Sequence, residues 1–241
     1  MIVKKVKQLL SEYRKNSDKQ MLLLKELNWA NIYHDSIRGK DWLEKLPLNV
    51  GRWAGNYSFF YVLGRVLDNY KPTKILELGL GESTKFISTY LNHMLTNSWH
   101  TIVEQDEDWC VKFKSNFPLS KQSNIIVSPL SEKVIDSSTV KVYENFESKV
   151  NETFDLYVVD GPHGSPTLSR VEILYLADLF TSNSEFIIIF DDYNRLGEQN
   201  TVEKLFEILI KKNIKFYKGI YLGTKRVIVI GTEKYKHVAS L

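Results

Sequence analysis

Cysteine is almost missing from this chain. Cys110 is the single one, so no intrachain disulfide can form, and a reducing compartment suits such a thiol. Long apolar runs are missing too. The longest, "FIIIF" at 186–190, falls far below the ~20 residues of a membrane span. The opening "MIVKKVKQLLSEYRK" lacks the sustained apolar core of a signal peptide. Neither sign of charge dominates, since 32 Lys and Arg face 29 Asp and Glu for a net charge of +3. That excess is too small to imply nucleic acid or an anionic membrane by itself. Internal repeats and Pro/Gly/Ser-rich linkers are absent. Together these absences predict a soluble cytoplasmic protein without stable membrane insertion.

What is present is enough apolar material for one large core: 43% of the 241 residues are hydrophobic. The pattern divides the chain into an N-terminal helical or lid segment, 1–55, and a second unit, 56–241. In the first, Ile2, Val3, Val6, Leu9, Leu10 and Tyr13 recur at helical spacing, with Lys4, Lys5, Lys7 and Arg14 largely on another face. Such a helix could lie on a membrane surface or pack on its own domain or a partner subunit. The aromatic-rich stretch 29–60 suits either a lid or a contact in a homo-oligomer. From residue 57 helices alternate with the strands "KILEL", "HTIVEQ", "NIIVS", "FDLYVVD" and "FIIIFDD". Helices are expected at 57–70, 83–95, 107–116, 131–135, 166–180 and 199–212. Two apolar runs, "NIKFYKGIYL" and "KRVIVIGT", joined by "GTK", close the chain as an antiparallel hairpin. The fold class is therefore α/β: a Rossmann-like, doubly wound, mostly parallel seven-stranded sheet with a C-terminal antiparallel hairpin and an N-terminal helical segment.

Within "KILELGLGESTKFI" the glycines Gly79 and Gly81 lie between a buried-type strand and a helix. A dinucleotide fingerprint would need Gly or Ala where Thr84 stands, and a phosphate-binding loop would need Gly-Lys-[Ser/Thr]. Neither is found, so the glycines alone leave a plain turn open. Glu77 adds a carboxylate at the strand end, which would repel a pyrophosphate and suit an ammonium group. The motif resembles the first motif of the class I S-adenosylmethionine-dependent methyltransferases, acid-x-Gly-x-Gly-x-Gly, with Ser83 at the last glycine position. The resemblance implies that backbone at Gly79, Gly81 and Ser83 approaches the cofactor and that Glu77 faces its methionine end. Glu104 ends the second strand roughly 20 residues beyond the glycines, where an acid hydrogen-bonds ribose hydroxyls. By the same resemblance Ser128 would touch adenine. Tyr57 and Ser58 would contact the cofactor from a segment folded over it, and Trp53 would wall the acceptor pocket.

Ligands of open parallel sheets bind beyond the carboxyl ends of the strands. Asp160, His163, Asp191, Asp192 and Asn194 follow the fourth and fifth core strands and therefore converge on one rim. Three carboxylates of this kind fit Mg²⁺ or Mn²⁺ better than zinc, although Asp192 could equally cap the next helix. The set resembles the metal-dependent O-methyltransferases of the catechol, caffeoyl-CoA and bacterial sugar-modifying kinds. Asp160, Asp191 and Asp192 fall on their metal positions, and His163 on a His common in the sugar-modifying members. The Lys base of the catechol kind has no counterpart in "DGPHGSPT". His163 is then the base that takes the acceptor's proton, beside Asp160. Arg52 and Arg195 could pair with an anionic acceptor.

The expected activity is O-methyl transfer from S-adenosylmethionine to a small hydroxylated molecule, a sugar or sugar-derived acid of polysaccharide biosynthesis, assisted by Mg²⁺. Nucleic-acid methylation lacks support, for there is no Asn-Pro-Pro-Tyr motif and no basic stripe with interleaved aromatics. The alternative is a catalytically silent relative that serves as a binding or scaffold subunit of a biosynthetic assembly.

Overall fold

The computed structural model describes residues 2–51 and 53–241, without the side chains of Ile2 and Val3. Arg52 and those two side chains thus lie outside the described residues. Helix α1 (Ile2–Ile37) is 36 residues long, about 54 Å at 1.5 Å per residue. Its early turns leave Val6, Leu9, Leu10 and Tyr13 exposed, whereas Tyr33 and Ile37 are buried. Those last turns pack with Phe60, Leu63 and Phe86 in one layer of the core. A short α2 (Asp41–Glu44) follows. Helix α3 (Tyr57–Tyr70) begins where the Asn56 side chain accepts a hydrogen bond from the Phe59 N–H at 3.2 Å. Its Phe59, Phe60, Leu63 and Leu67 are fully buried, each contributing about 1.5–3 kcal/mol relative to exposure.

The alternation then proceeds through β1 (Lys74–Leu78), α4 (Glu82–His93), β2 (Trp99–Glu104), α5 (Glu107–Asn116) and β3 (Ser123–Val127). After β4 (Leu130–Ile135), β5 (Ser138–Tyr143) and α6 (Phe146–Lys149) come β6 (Leu156–Val159), α7 (Glu172–Asp178), β7 (Ile187–Phe190) and α8 (Leu196–Lys211). The chain closes with β8 (Phe216–Leu222), β9 (Arg226–Thr232) and a 3₁₀ segment, Glu233–Ser240. The main sheet has seven strands in the order β3-β2-β1-β6-β7-β9-β8. Strand β9 runs antiparallel to both β7 and β8, and the other pairs are parallel. Strands β6 and β7 are buried at every position, as expected where helices cover both faces. The strand order reverses between β1 and β6, and a crevice opens there beyond the strand ends.

Two expectations need correction. Residues 131–135 form no helix; they are β4, paired antiparallel with β5 so that Ile135 meets Ser138. The intervening Asp136 and Ser137 have φ of 48° and 65°, the left-handed pair of a two-residue hairpin turn. The helix expected over 166–180 is shortened to Glu172–Asp178. The chain ahead of it stays irregular, with Arg170 at φ 58°. No described helix is long and apolar enough to cross a membrane.

Candidate functional site

The crevice at the reversal point holds a cavity of about 820 Å³. Its floor is the turn after β1. Gly79 has φ +101°, and a Cβ there would come 3.4 Å from the Gly161 backbone N. A Cβ on Gly161 would in turn lie 2.9 Å from the Tyr143 hydroxyl and 3.2 Å from Gly79 Cα. The two turns, after β1 and after β6, thus pass back to back with no room for side chains. Gly81 differs: a Cβ there would meet nothing within 4 Å, so its hydrogen leaves cavity space open. Its N–H donates to Thr84 Oγ1 at 3.0 Å, and the Thr84 hydroxyl donates to Glu77 Oε2 at 2.8 Å.

Glu77 is fully buried, and the same Oε2 lies 3.0 Å from His100 Nε2 on β2. Its role visible here is to brace the turn from beneath; it is not among the residues lining the cavity. Glu104 does line it. One carboxylate oxygen accepts from the Leu80 N–H at 2.9 Å, and the other from the Gln105 and Asp106 N–H groups at 2.9 and 3.0 Å. Burial raises the Glu104 carboxyl above its ordinary range, outweighing the downward pull of those N–H groups. Trp109, which the sequence reading passed over, donates from Nε1 to the Leu80 carbonyl at 2.9 Å and adds an aromatic wall. Its position on the first turn of α5, just past the strand-end acid, was the available signal.

The opposite wall is Asp160, Gly161, Pro162 and His163, and Asn49–Gly51 with Trp53–Gly55 form the roof. Trp53 is 93% exposed. Asn49 donates from its backbone N–H to Glu82 Oε2 at 3.0 Å, which pins one end of the roof to α4. Of the residues expected in the site, the cavity gathers Gly79, Gly81, Ser83, Glu104, Asp160 and His163. Ser128 is buried elsewhere, donating to the Glu144 carbonyl at 2.7 Å and accepting from Lys149 Nζ at 3.0 Å. Ser58 donates to Asn56 Oδ1 at 3.0 Å inside the protein. Tyr57 lines a separate cavity of about 740 Å³ between α1 and α2, together with Tyr33 and His34.

The carboxylates of Asp160, Asp191 and Asp192 offer oxygens within 4.8 Å of one another. Whether they fit a divalent ion depends on what already holds them. Arg170 NH2 contacts Asp160 Oδ1 at 3.1 Å and Asp192 Oδ2 at 2.7 Å. Its NH1 donates to the Val159 and Asp191 carbonyls at 3.2 and 2.7 Å. Lys225 Nζ lies 3.3 Å from Asp191 Oδ2 and 3.2 Å from Asp192 Oδ1. Arg195 NH1 reaches Asp192 Oδ2 at 3.1 Å and Glu198 Oε1 at 3.7 Å. Burial, then the adjacent Asp191, push the Asp160 carboxyl up to about 8 against the pull of Arg170 and Lys225. Burial works the same way on Asp192, but Arg170, Lys225 and Arg195 hold it below the usual range. Asp191 and Asp192 are nearly inaccessible and do not line the cavity, so the set does not fit a resident Mg²⁺ in this arrangement.

No protein-family model matches the chain, and no curated protein matches it. Solved structures do. An O-methyltransferase of tomaymycin synthesis from Streptomyces achromogenes, in complex with SAM, superposes with a TM-score of 0.51 over 85% of this chain and 88% of that one, at 11% identity. The fold is that of the class I methyltransferases. A Bacillus cereus O-methyltransferase in complex with SAH gives the same TM-score of 0.51, 14% identity, and coverage of 83% of this chain and 90% of that one. At such identities the likeness speaks for the methyltransferase fold alone. That fold fits the strand order and the crevice at β1 and β6 described above.

Proposed function

We propose that the protein is an S-adenosylmethionine-dependent O-methyltransferase acting on a hydroxyl of a small molecule. The observation carrying this reading is the convergence on one cavity of the β1 glycine turn, the strand-end acid Glu104, and the Asp160–His163 wall. Glu104 would take the ribose hydroxyls, Trp109 would border the base, and the open space at Gly81 and Ser83 would admit the rest of the cofactor. Glu77 would support this turn electrostatically from below. When bound, the cofactor supplies a methyl group already activated on a sulfonium. The protein must align the accepting hydroxyl and remove its proton. His163 is exposed on the cavity wall and is the base we assign for the hydroxyl's one proton, with Asp160 beside it as the second catalytic residue, orienting the acceptor. Neither proton nor acceptor is routed through Mg²⁺, because the three carboxylates already share Arg170 and Lys225.

The acceptor class we favour is a sugar or sugar-derived acid of polysaccharide biosynthesis, on the strength of His163 following Asp160 in "DGPHG". We assign the activity to residues 56–241, with 1–55 as an appended segment that includes the roof, and the location to the cytoplasm. The test is calorimetric titration with S-adenosylhomocysteine, followed by methyl transfer to hydroxylated sugars. A folded protein that binds no S-adenosylhomocysteine would sink this reading. It would favour the scaffold alternative, to which the internally bonded Glu77 and the departure at Ser83 already lend weight.

A further inference from the structure

We infer that the acidic rim carries its own cation: the Lys225 ammonium, backed by the Arg170 guanidinium, stands among Asp160, Asp191 and Asp192 in the place of a divalent ion, and the site is metal-independent. Lys225 lies in the turn between β8 and β9, and its side chain is only 13% exposed. From there its Nζ reaches Asp191 Oδ2 and Asp192 Oδ1 together, at 3.3 and 3.2 Å. Arg170 comes from the irregular segment before α7 and holds Asp160 Oδ1 and Asp192 Oδ2. Asp192 Oδ2 is therefore held by the guanidinium, while its Oδ1 and Asp191 Oδ1 accept no hydrogen bond and are balanced by the nearby Lys225 charge alone.

The charges nearly cancel. Asp160, Asp191, Asp192 and Glu198 face Arg170, Lys225 and Arg195. A divalent ion placed on these oxygens would have to expel a buried ammonium or guanidinium, or share a dry site with it. Mg²⁺ also demands about six oxygens near 2.1 Å, and Asp191 and Asp192 offer theirs behind the cavity wall. Expelling Arg170 would strip donors from two backbone carbonyls as well.

Lys225 does something further that a bare ion in a carboxylate cage would not. Its Nζ donates to the Ala54 carbonyl at 3.0 Å, latching the far end of the roof whose near end is held by Glu82. The neutralising charge and the cover of the cavity are thus the same side chain. In the methyl-transfer reading, on which only this catalytic consequence rests, Lys225 is a positioning residue.

The test uses Mn²⁺ alone as probe, titrated into the full-length protein and followed by electron paramagnetic resonance. The wild type is expected to bind no stoichiometric Mn²⁺ at submillimolar concentrations. Lys225→Met, shown folded by its melting curve, is expected to gain one Mn²⁺ as Asp191 and Asp192 lose their ammonium, and Lys225→Arg is expected to gain none. Stoichiometric Mn²⁺ on the wild type, displaced by Mg²⁺, would overturn the inference. So would a folded Lys225→Met that still binds none. If Lys225→Met does not fold, the wild-type titration decides alone. Calorimetry with S-adenosylhomocysteine reads the methyltransferase proposal separately, so the two can fail independently.

Discussion

Replacing Glu104 by Gln changes one side-chain oxygen into an amide NH₂ group and keeps the volume. The carboxylate accepts three backbone N–H bonds at 2.9, 2.9 and 3.0 Å, two on one oxygen and one on the other. A glutamine amide satisfies only one side. Its least costly orientation keeps the oxygen on Gln105 and Asp106 and turns the NH₂ toward the Leu80 N–H. One hydrogen bond to a charged acceptor is then lost, worth about 1.5–3 kcal/mol. At roughly 2–4 °C per kcal/mol for a chain of this size, the melting temperature should fall by about 3–12 °C. The same residue should bind ribose through its charge, so losing one charge-assisted bond weakens S-adenosylhomocysteine by about ten- to a hundredfold. Differential scanning calorimetry and titration calorimetry read the two effects separately. A melting temperature within about 1 °C of wild type would refute the turn-bracing account. An unchanged affinity in a folded variant would refute the placement of the cofactor.

Arg170→Met should cost about 3–5 kcal/mol, because it leaves buried carboxylates uncompensated; urea unfolding checks this, and a loss under about 1 kcal/mol would show the charges compensated elsewhere. Glu172 is fully buried, with Oε1 accepting from the Tyr143 N–H at 2.8 Å, and burial pushes its carboxyl up to about 7. The folded state therefore holds a proton that the unfolded state has released. This group's contribution falls as pH rises from about 4 to 7 and stays low above. Glu172→Gln should flatten stability over that window and raise it at pH ~8, and an unaltered pH profile would contradict the assignment. Gly223→Ala would drive a Cβ into the Glu26 carboxylate and the Asn56 amide; a loss of about 1–3 kcal/mol is expected by urea titration.

The sheet and its crevice were legible because buried parallel strands are nearly uninterrupted apolar runs and their ends are marked by acids and glycines. Gly79, Gly81 and Glu104 could be found that way, since their positions depend on local geometry. The β4–β5 hairpin was not, because Asp136 and Ser137 adopt positive φ without the glycine that normally advertises such a turn. Arg170 and Lys225 were invisible for another reason. Each acts on carboxylates brought near only by the tertiary fold, and the spacing of "DGPHG" and "FDDYN" contains no trace of the cations beside them. Carboxylates that look like metal ligands in one dimension look like half of an ion-pair network in three.

The Glu26 carboxylate on α1 joins parts of the chain that lie 198 residues apart. It accepts from the Asn56 side chain at 2.8 Å, the Tyr57 N–H at 2.8 Å and the Thr224 N–H at 2.7 Å, and Lys225 reaches the Ala54 carbonyl beside them. A ribosome exposes residues 26 and 56 early, but neither contact to the C-terminal turn can form until residue 225 has emerged. The β1 turn and the strand-end acid can assemble before that moment, while the roof above them is fastened only at its Asn49–Glu82 end. Full closure therefore waits for the β8–β9 turn, and a polypeptide cut short before that turn lacks the latch at the far end of the cover.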